Sequence, residues 1–251
     1  MKGSLTIVGL GPGAAELVTP AVTDALKHST DIVGYSKYID RVRHARGKSF
    51  HPSDNREEID RAELSINLAL RGKKVVVVSS GDPGVFAMAS AIFEVVDKRS
   101  ISKEDLPIVV LPGITALLAA SARLGAPIGH DFCVINLSDN LKSWDIIKSR
   151  VIAAAKADFV IAFYNPRSKS RENQLAEIYN ILRENCNSDR LVIYANSVST
   201  KSEAIFETTL SKADASLVSM KTLVIIGSSS TKKIRNTGYI YTPRYSGLEK
   251  N

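Results

Sequence analysis

Four short loops of glycine, proline, aspartate and arginine follow directly on apolar runs, and their residue types limit what chemistry they can do. The first, Gly9-Leu10-Gly11-Pro12-Gly13-Ala14, comes after Leu5 to Val8 and fits in outline the G-x-G-x-x-A dinucleotide turn. Phosphate is a poor match for it. In a phosphate-binding turn the backbone amides are the ligands, and Pro12 has no amide hydrogen to give. A dinucleotide site also needs an acidic residue at the end of the second strand, whereas Asp31 stands at its start. What the turn offers is close backbone approach, suited to a flat ligand without phosphate; alternatively it simply tightens a strand-to-helix connection.

Ser79-Ser80-Gly81-Asp82-Pro83-Gly84 follows a four-valine run. Gly81 and Gly84 expose backbone, and Asp82 can accept from ribose hydroxyls or, alternatively, cap the next helix. Pro112-Gly113-Ile114-Thr115-Ala116 repeats the arrangement with small residues. After the run at Phe159, Asn165-Pro166-Arg167-Ser168 is crowded by Lys169 and Arg171, which reads as an anion clamp. Cys133 and Cys186 lie far apart, and His28, His44, His51 and His130 show no helical pairing, so no metal site is expected.

The loops must be positioned by the elements that flank them. Short β-branched runs at Leu5 to Val8, Asp31 to Val33, Val75 to Ser79, Ile108 to Leu111, Phe132 to Leu137, Phe159 to Tyr164, Leu191 to Tyr194 and Leu223 to Ile226 predict strands. Amphipathic stretches between them predict helices at Thr19 to Lys27, Arg56 to Leu70, Val85 to Val96, Thr115 to Leu124, Trp144 to Lys156 and Arg171 to Asn185. Ser53-Asp54 is the expected N-cap of the second helix and Gly72 its stop. Alternation of this kind means α/β. Gly125-Ala126-Pro127-Ile128-Gly129 breaks both periodicities and reads as a linker, giving domains 1–125 and 130–245.

In order and spacing, Gly-x-Gly-Pro-Gly, Ser-Gly-Asp-Pro and Gly-Ile-Thr-Ala together resemble the tetrapyrrole methylase family, the two-domain class III S-adenosylmethionine-dependent methyltransferases. Further segments resemble the branch that methylates C17 of precorrin-3B in corrin (cobalamin) biosynthesis with ring contraction. They are Leu137 to Leu141 with Trp144, Phe163 to Ser168, Gly227 to Thr231 and Tyr241 to Arg244. The resemblance implies a largely parallel sheet in the first domain, a mixed sheet in the second, a homodimer, and a methyl donor bound between the domains. By motif, the donor contacts are Pro12, Gly81, Asp82, Val85, Thr115 and Ala116, with Tyr164, Asn165 and Thr208 from the second domain. Arg167 and Arg171 of the anion clamp, with Asp139, are the candidate substrate contacts, and Ser138, Asp139 and Tyr164 are candidates by location for proton movements. The chain departs from the family in two places: Ala195-Asn196 replaces a common Gly-Arg, and Ser36 follows Tyr35 where some relatives carry an acid.

The 251 residues hold 33 Lys and Arg against 26 Asp and Glu, a net charge of +7 that favours an anionic partner such as a polycarboxylate tetrapyrrole. Aromatic residues at 6% leave few stacking platforms for single-stranded nucleic acid, and neither nucleic acid nor a membrane is the expected partner. The chain lacks a run of roughly 18 apolar residues, and no longer apolar region follows Met1-Lys2-Gly3-Ser4 as a leader would require, so a cytoplasmic location is expected. The alternative is a methyltransferase of the same fold acting at another tetrapyrrole position or on RNA.

Overall fold

A computed structural model describes residues 2–44, 46–55, 57–168 and 170–244. Arg56 at the expected start of the second helix, Lys169 of the expected anion clamp and the C-terminal residues 245–251 lie outside them. The chain divides into two compact units, Met1–Ala116 and Leu117–Asn251.

In the first unit the elements run β1 (Ser4–Gly9), α1 (Pro20–His28), β2 (Asp31–Tyr35), α2 (Ser36–Val42), β3 (Ser49–Ser53), α3 (Glu58–Leu70), β4 (Lys74–Ser79), α4 (Met88–Lys98) and β5 (Ile108–Leu111). The sheet order is β3-β2-β4-β1-β5 and every pair is parallel. Val75 and Val77 pack with Leu5, Ile7, Ile66 and Ile92 under α3 and α4. Val76 and Val78 pack with Val8, Val22 and Ile39 under α1 and α2. Burial on both faces explains an unbroken valine run where a one-sided sheet would alternate. Because β4 lies beside β1 and β5 flanks it on the other side, the loops leaving β1, β4 and β5 are neighbours at the C-terminal edge, where open parallel sheets hold ligands.

In the second unit, α5 (Ala116–Leu124, its first residue ending the first unit) leads into β6 (Gly125–Ala126), β7 (Phe132–Asn136), α6 (Trp144–Lys156), β8 (Val160–Tyr164) and α7 (Gln174–Asn185). Then come β9 (Leu191–Asn196), β10 (Ala204–Thr209), β11 (Thr222–Ile226), β12 (Lys232–Lys233) and β13 (Ile240–Tyr241). Its main sheet has the order β10-β9-β11-β8-β7, and only β7 and β8 run parallel. Helices α6 and α7 close one face over Ile135, Phe163, Tyr194 and Val224. A small third sheet joins β12, β13 and β6. The segment read as a linker is therefore pinned: Gly125 at φ +119° pairs with Ile240, and Thr242 N donates to Ala126 O at 3.0 Å.

Local signals set some helix ends and tertiary contacts set others. Thr19 caps α1 ahead of Pro20, and Gly72, at φ +85°, ends α3 as expected. The expected Ser53-Asp54 cap does not form: Ser53 ends β3 and accepts from Arg61 Nε at 2.7 Å, while Glu57 reaches back to Asp54 N at 2.9 Å. α4 starts at Met88 instead of Val85 because Phe86 sits at φ +53°, outside helical geometry. α7 starts at Gln174 instead of Arg171, whose backbone is tied to Ser168 in a two-bond bridge.

At the opposite edge of the first sheet, Asp31 is only 4% exposed, with one oxygen 2.8 Å from His51 Nε2 and the other accepting from Thr30 Oγ1 at 2.8 Å. Burial pushes this carboxyl up, but the hydrogen bonds from His51 and Thr30 and the charges of His51 and Lys73 more than offset it, leaving it below the ordinary aspartate value. A depressed folded-state value contributes stability that is present above the unfolded value of about 4 and lost as pH falls through the folded one. Asp31→Asn is expected to cost about 1–3 kcal/mol at neutral pH and to flatten the loss of stability on acidification. Urea titrations from about pH 7 to pH 3 measure both, and a variant with the wild-type acid slope would reject the assignment.

Candidate active site

The loops after β1, β4 and β5 come together through backbone contacts. Gly11 N donates to Gly81 O at 3.1 Å and Gly81 N returns the bond to Gly11 O at 2.9 Å, with both glycines at positive φ. A methyl built on Gly113 would overlap Gly81 O and lie 2.7 Å from Gly9 O; one on Gly9 would overlap Gly81 O and lie 2.8 Å from Gly113 Cα. Only glycine allows this approach.

Asp82 fastens two of these loops. Its Oδ1 accepts from Gly84 N at 2.8 Å and its Oδ2 from Gly113 N at 3.0 Å, so the side chain spans the β4 and β5 loops. It does not cap α4, whose first turn follows Ala87 without a side-chain cap. Each carboxylate oxygen keeps further acceptor capacity for a ligand hydroxyl. Pro12, Gly81, Val85, Thr115 and Ala116 are all half-buried at the same edge, and a methyl built on Gly81 would lie 3.5 Å from Thr115 Cα, in ordinary contact.

Neither residue type nor spacing pointed to the group behind the first turn. Arg41, on α2, donates from Nη1 to Gly11 O at 3.1 Å and from Nη2 to Leu10 O at 2.6 Å and Gly13 O at 3.3 Å. The turn thus directs carbonyls inward onto a cation, the reverse of a phosphate cradle in which amides point at the ligand. Burial lowers the Arg41 guanidinium from its ordinary value, partly offset by Tyr38.

In the second unit the C-terminal ends of β7 and β8 form another polar edge. Tyr164 hydroxyl accepts from Leu117 N at 2.9 Å in the first turn of α5. Asn165, at φ +50°, donates to Asn136 Oδ1 at 3.1 Å, and the same oxygen accepts from Ser138 N at 2.9 Å. Ser138 and Asp139 do not cap α6; Ser143 does. Arg171 is 7% exposed, with Nη1 donating to Leu137 O at 3.0 Å, Nε to Ser168 Oγ at 3.2 Å, and Asp139 Oδ1 at 3.8 Å from Nε. Arg167 instead reaches Ala215 O at 3.3 Å and Ser216 O at 3.2 Å. The two guanidinium groups therefore hold different segments and do not converge on one anion.

Thr208 stands apart from Tyr164. It pairs with Val192, which pairs through Ile226 with Ile161, three rows from Tyr164 and three strands across, a separation of roughly 17 Å from strand spacing. A surface depression of about 590 Å³ beside Asp139 and Trp144 is lined by Glu172 and Glu177 as well, an acidic setting that suits a polycarboxylate badly. Among the described residues no helix is long and apolar enough to cross a membrane.

Against known proteins, residues 4–214 match the family model of the tetrapyrrole (corrin/porphyrin) methylases. The chain belongs to this family. The methylase is 45% identical over 248 residues to the precorrin-3B C(17)-methyltransferase of a Sinorhizobium species, covering 98% of each chain. The crystal structure of the methyltransferase CobJ matches it with a TM-score of 0.92 at 50% identity, over 96% of this chain and 100% of that one. A uroporphyrin-III C-methyltransferase of Thermus thermophilus, complexed with S-adenosylhomocysteine, shares the fold at a TM-score of 0.68 and 21% identity, over 90% of this chain and 97% of that one.

The three-glycine contact makes an unequal pair of substitutions informative. Gly113→Ala is expected to lose about 3 kcal/mol or to fail to fold, since backbone on both sides must move. Gly84→Ala, whose methyl would meet only Asp82 Oδ1 at 3.2 Å, requires that side chain to give by a few tenths of an ångström and should cost about 1 kcal/mol or less. Thermal unfolding of both decides, and equal effects would reject the close-approach account.

Proposed function

We propose that this methylase transfers a methyl group from S-adenosylmethionine to C17 of precorrin-3B in corrin (cobalamin) biosynthesis, a step coupled to contraction of the macrocycle. The observation that carries the reading is the 45% identity, over 98% of both chains, to a protein named for that reaction. The complex of a fold relative with S-adenosylhomocysteine supports the choice of donor.

The residues at the first-unit edge fit such a donor. Arg41, the cation at the first turn, is engaged by carbonyls, Pro12 contributes no amide, and Asp82 can still accept hydroxyl hydrogens, so the edge favours a nucleoside without phosphate. When bound, S-adenosylmethionine supplies an electrophilic methyl group on a sulfonium centre. Asp82 and the backbone of Gly81, Thr115 and Ala116 bind and orient the nucleoside, with Pro12 and Val85 as apolar contacts. Tyr164, Asn165 and Thr208 are the second-unit candidates for the donor, and Asp139, Arg167 and Arg171 those for the tetrapyrrole. Of these, Arg167 is the more exposed cation, while Arg171 supports the loop that carries Asp139. Positive charge leaves sulfur as the carbon nucleophile attacks, so alignment in a dry site accelerates transfer more than a strong acid or base would. Holding both reactants in register contributes roughly 7–11 kcal/mol toward the barrier. The same reading carries a cytoplasmic homodimer.

Incubation of the purified protein with precorrin-3B and labelled donor, followed by NMR location of the new methyl group, tests the assignment. A label at another carbon, or turnover of only the cobalt-loaded macrocycle, would overturn it. Asp82→Ala is expected to weaken donor binding about tenfold or more and, because two backbone amides lose their acceptor, to cost about 1–3 kcal/mol of stability. Calorimetry with S-adenosylhomocysteine reads the first and thermal unfolding the second. Arg167→Ala should raise KM for the tetrapyrrole more than for the donor; equal shifts in steady-state kinetics would assign it to packing.

A further inference from the structure

We infer that Arg41 is a positioning residue for methyl transfer, holding the carbonyl side of the Gly9–Gly13 turn so that the opposite side keeps the shape the donor requires. The inference rests on the donor reading above. Its basis is geometric: one planar fork spans three carbonyl oxygens, on Leu10, Gly11 and Gly13, and so fixes the turn on both sides of Gly11. Gly11 is also the residue that bridges to Gly81, which makes Arg41 the outer support of the contact between the β1 and β4 loops.

Among the described residues no carboxylate pairs with Arg41, and its hydrogen bonds go to the carbonyls of the turn. A partly buried cation without a counter-charge costs desolvation energy that a simple structural tie would avoid. Here the cost is met by carbonyls, of which Gly11 O also accepts from Gly81 N while those of Leu10 and Gly13 are tied by Arg41. Lysine carries the same charge as a point, without the fork that reaches three acceptors, so charge alone should not replace arginine here. The residue touches neither reacting atom. It acts through the turn.

The test compares wild type with Arg41→Lys, Arg41→Gln and Arg41→Ala, using S-adenosylhomocysteine in isothermal calorimetry. The glutamine and alanine variants are expected to raise Kd about tenfold, with lysine in between. KM for the tetrapyrrole should stay within about twofold of wild type, a split that general loosening of the fold would not produce. A folded Arg41→Ala that binds S-adenosylhomocysteine like wild type overturns the inference. Should alanine fail to fold, Arg41→Lys decides: binding weakened about threefold supports the fork, and unchanged binding overturns it. Failure of the wild-type protein itself to bind S-adenosylhomocysteine would instead overturn the donor reading.

Discussion

Three strands of the first sheet end in backbone segments that approach more closely than any side chain would permit. Gly9, Gly81 and Gly113 meet through their own main-chain atoms, and the remaining features of that edge follow from the contact. It brings Gly113 N within reach of Asp82, allows the Gly11 and Gly81 amides to exchange bonds, and sets Thr115 beside Gly81. Because the contact is made of peptide groups, it is rigid, and a rigid platform is what alignment chemistry needs.

A second theme is how the chain uses arginine. The net charge of +7 invites the expectation of exposed anion clamps, yet many guanidinium groups face inward onto carbonyls. Arg41 holds the first turn, Arg61 binds Ser53 Oγ and Asp54 O, Arg171 binds Leu137 O, and Arg183 binds Leu210 O and Ala213 O. The planar fork suits this work because several donors diverge from one rigid group and can tie irregular loops that lack a ladder of their own. Composition counts such residues as surface charge, although they act as internal braces.

Legibility varied with how local the determinant was. The valine strand β4, the glycine stop of α3 and the α6 span were readable because periodicity and turn chemistry sit within a few residues. β3 was not read: Ser-Phe-His-Pro-Ser has little β-branched character, and its proline is tolerated because the strand lies at the sheet edge. α2, at seven residues, is too short to establish a helical period, and with it went any chance of noticing Arg41. β10 is an edge strand joined antiparallel to β9, and nothing in its six residues states that partner.

By itself the sequence determined the α/β class, the family, the loops that follow β1, β4 and β5, and the missing amide donor at Pro12. These depend on residue type and spacing, which need no partner to be read. Tertiary structure alone decided which polar groups meet. Asp82 became a bridge to Gly113 and not a helix cap, Arg41 found the first turn from another helix, and Arg167 and Arg171 were drawn to separate carbonyls. The physical reason is that a polar side chain shielded from water must find a partner, and the nearest one in space is set by how the strands are ordered, not by where the residue stands along the chain.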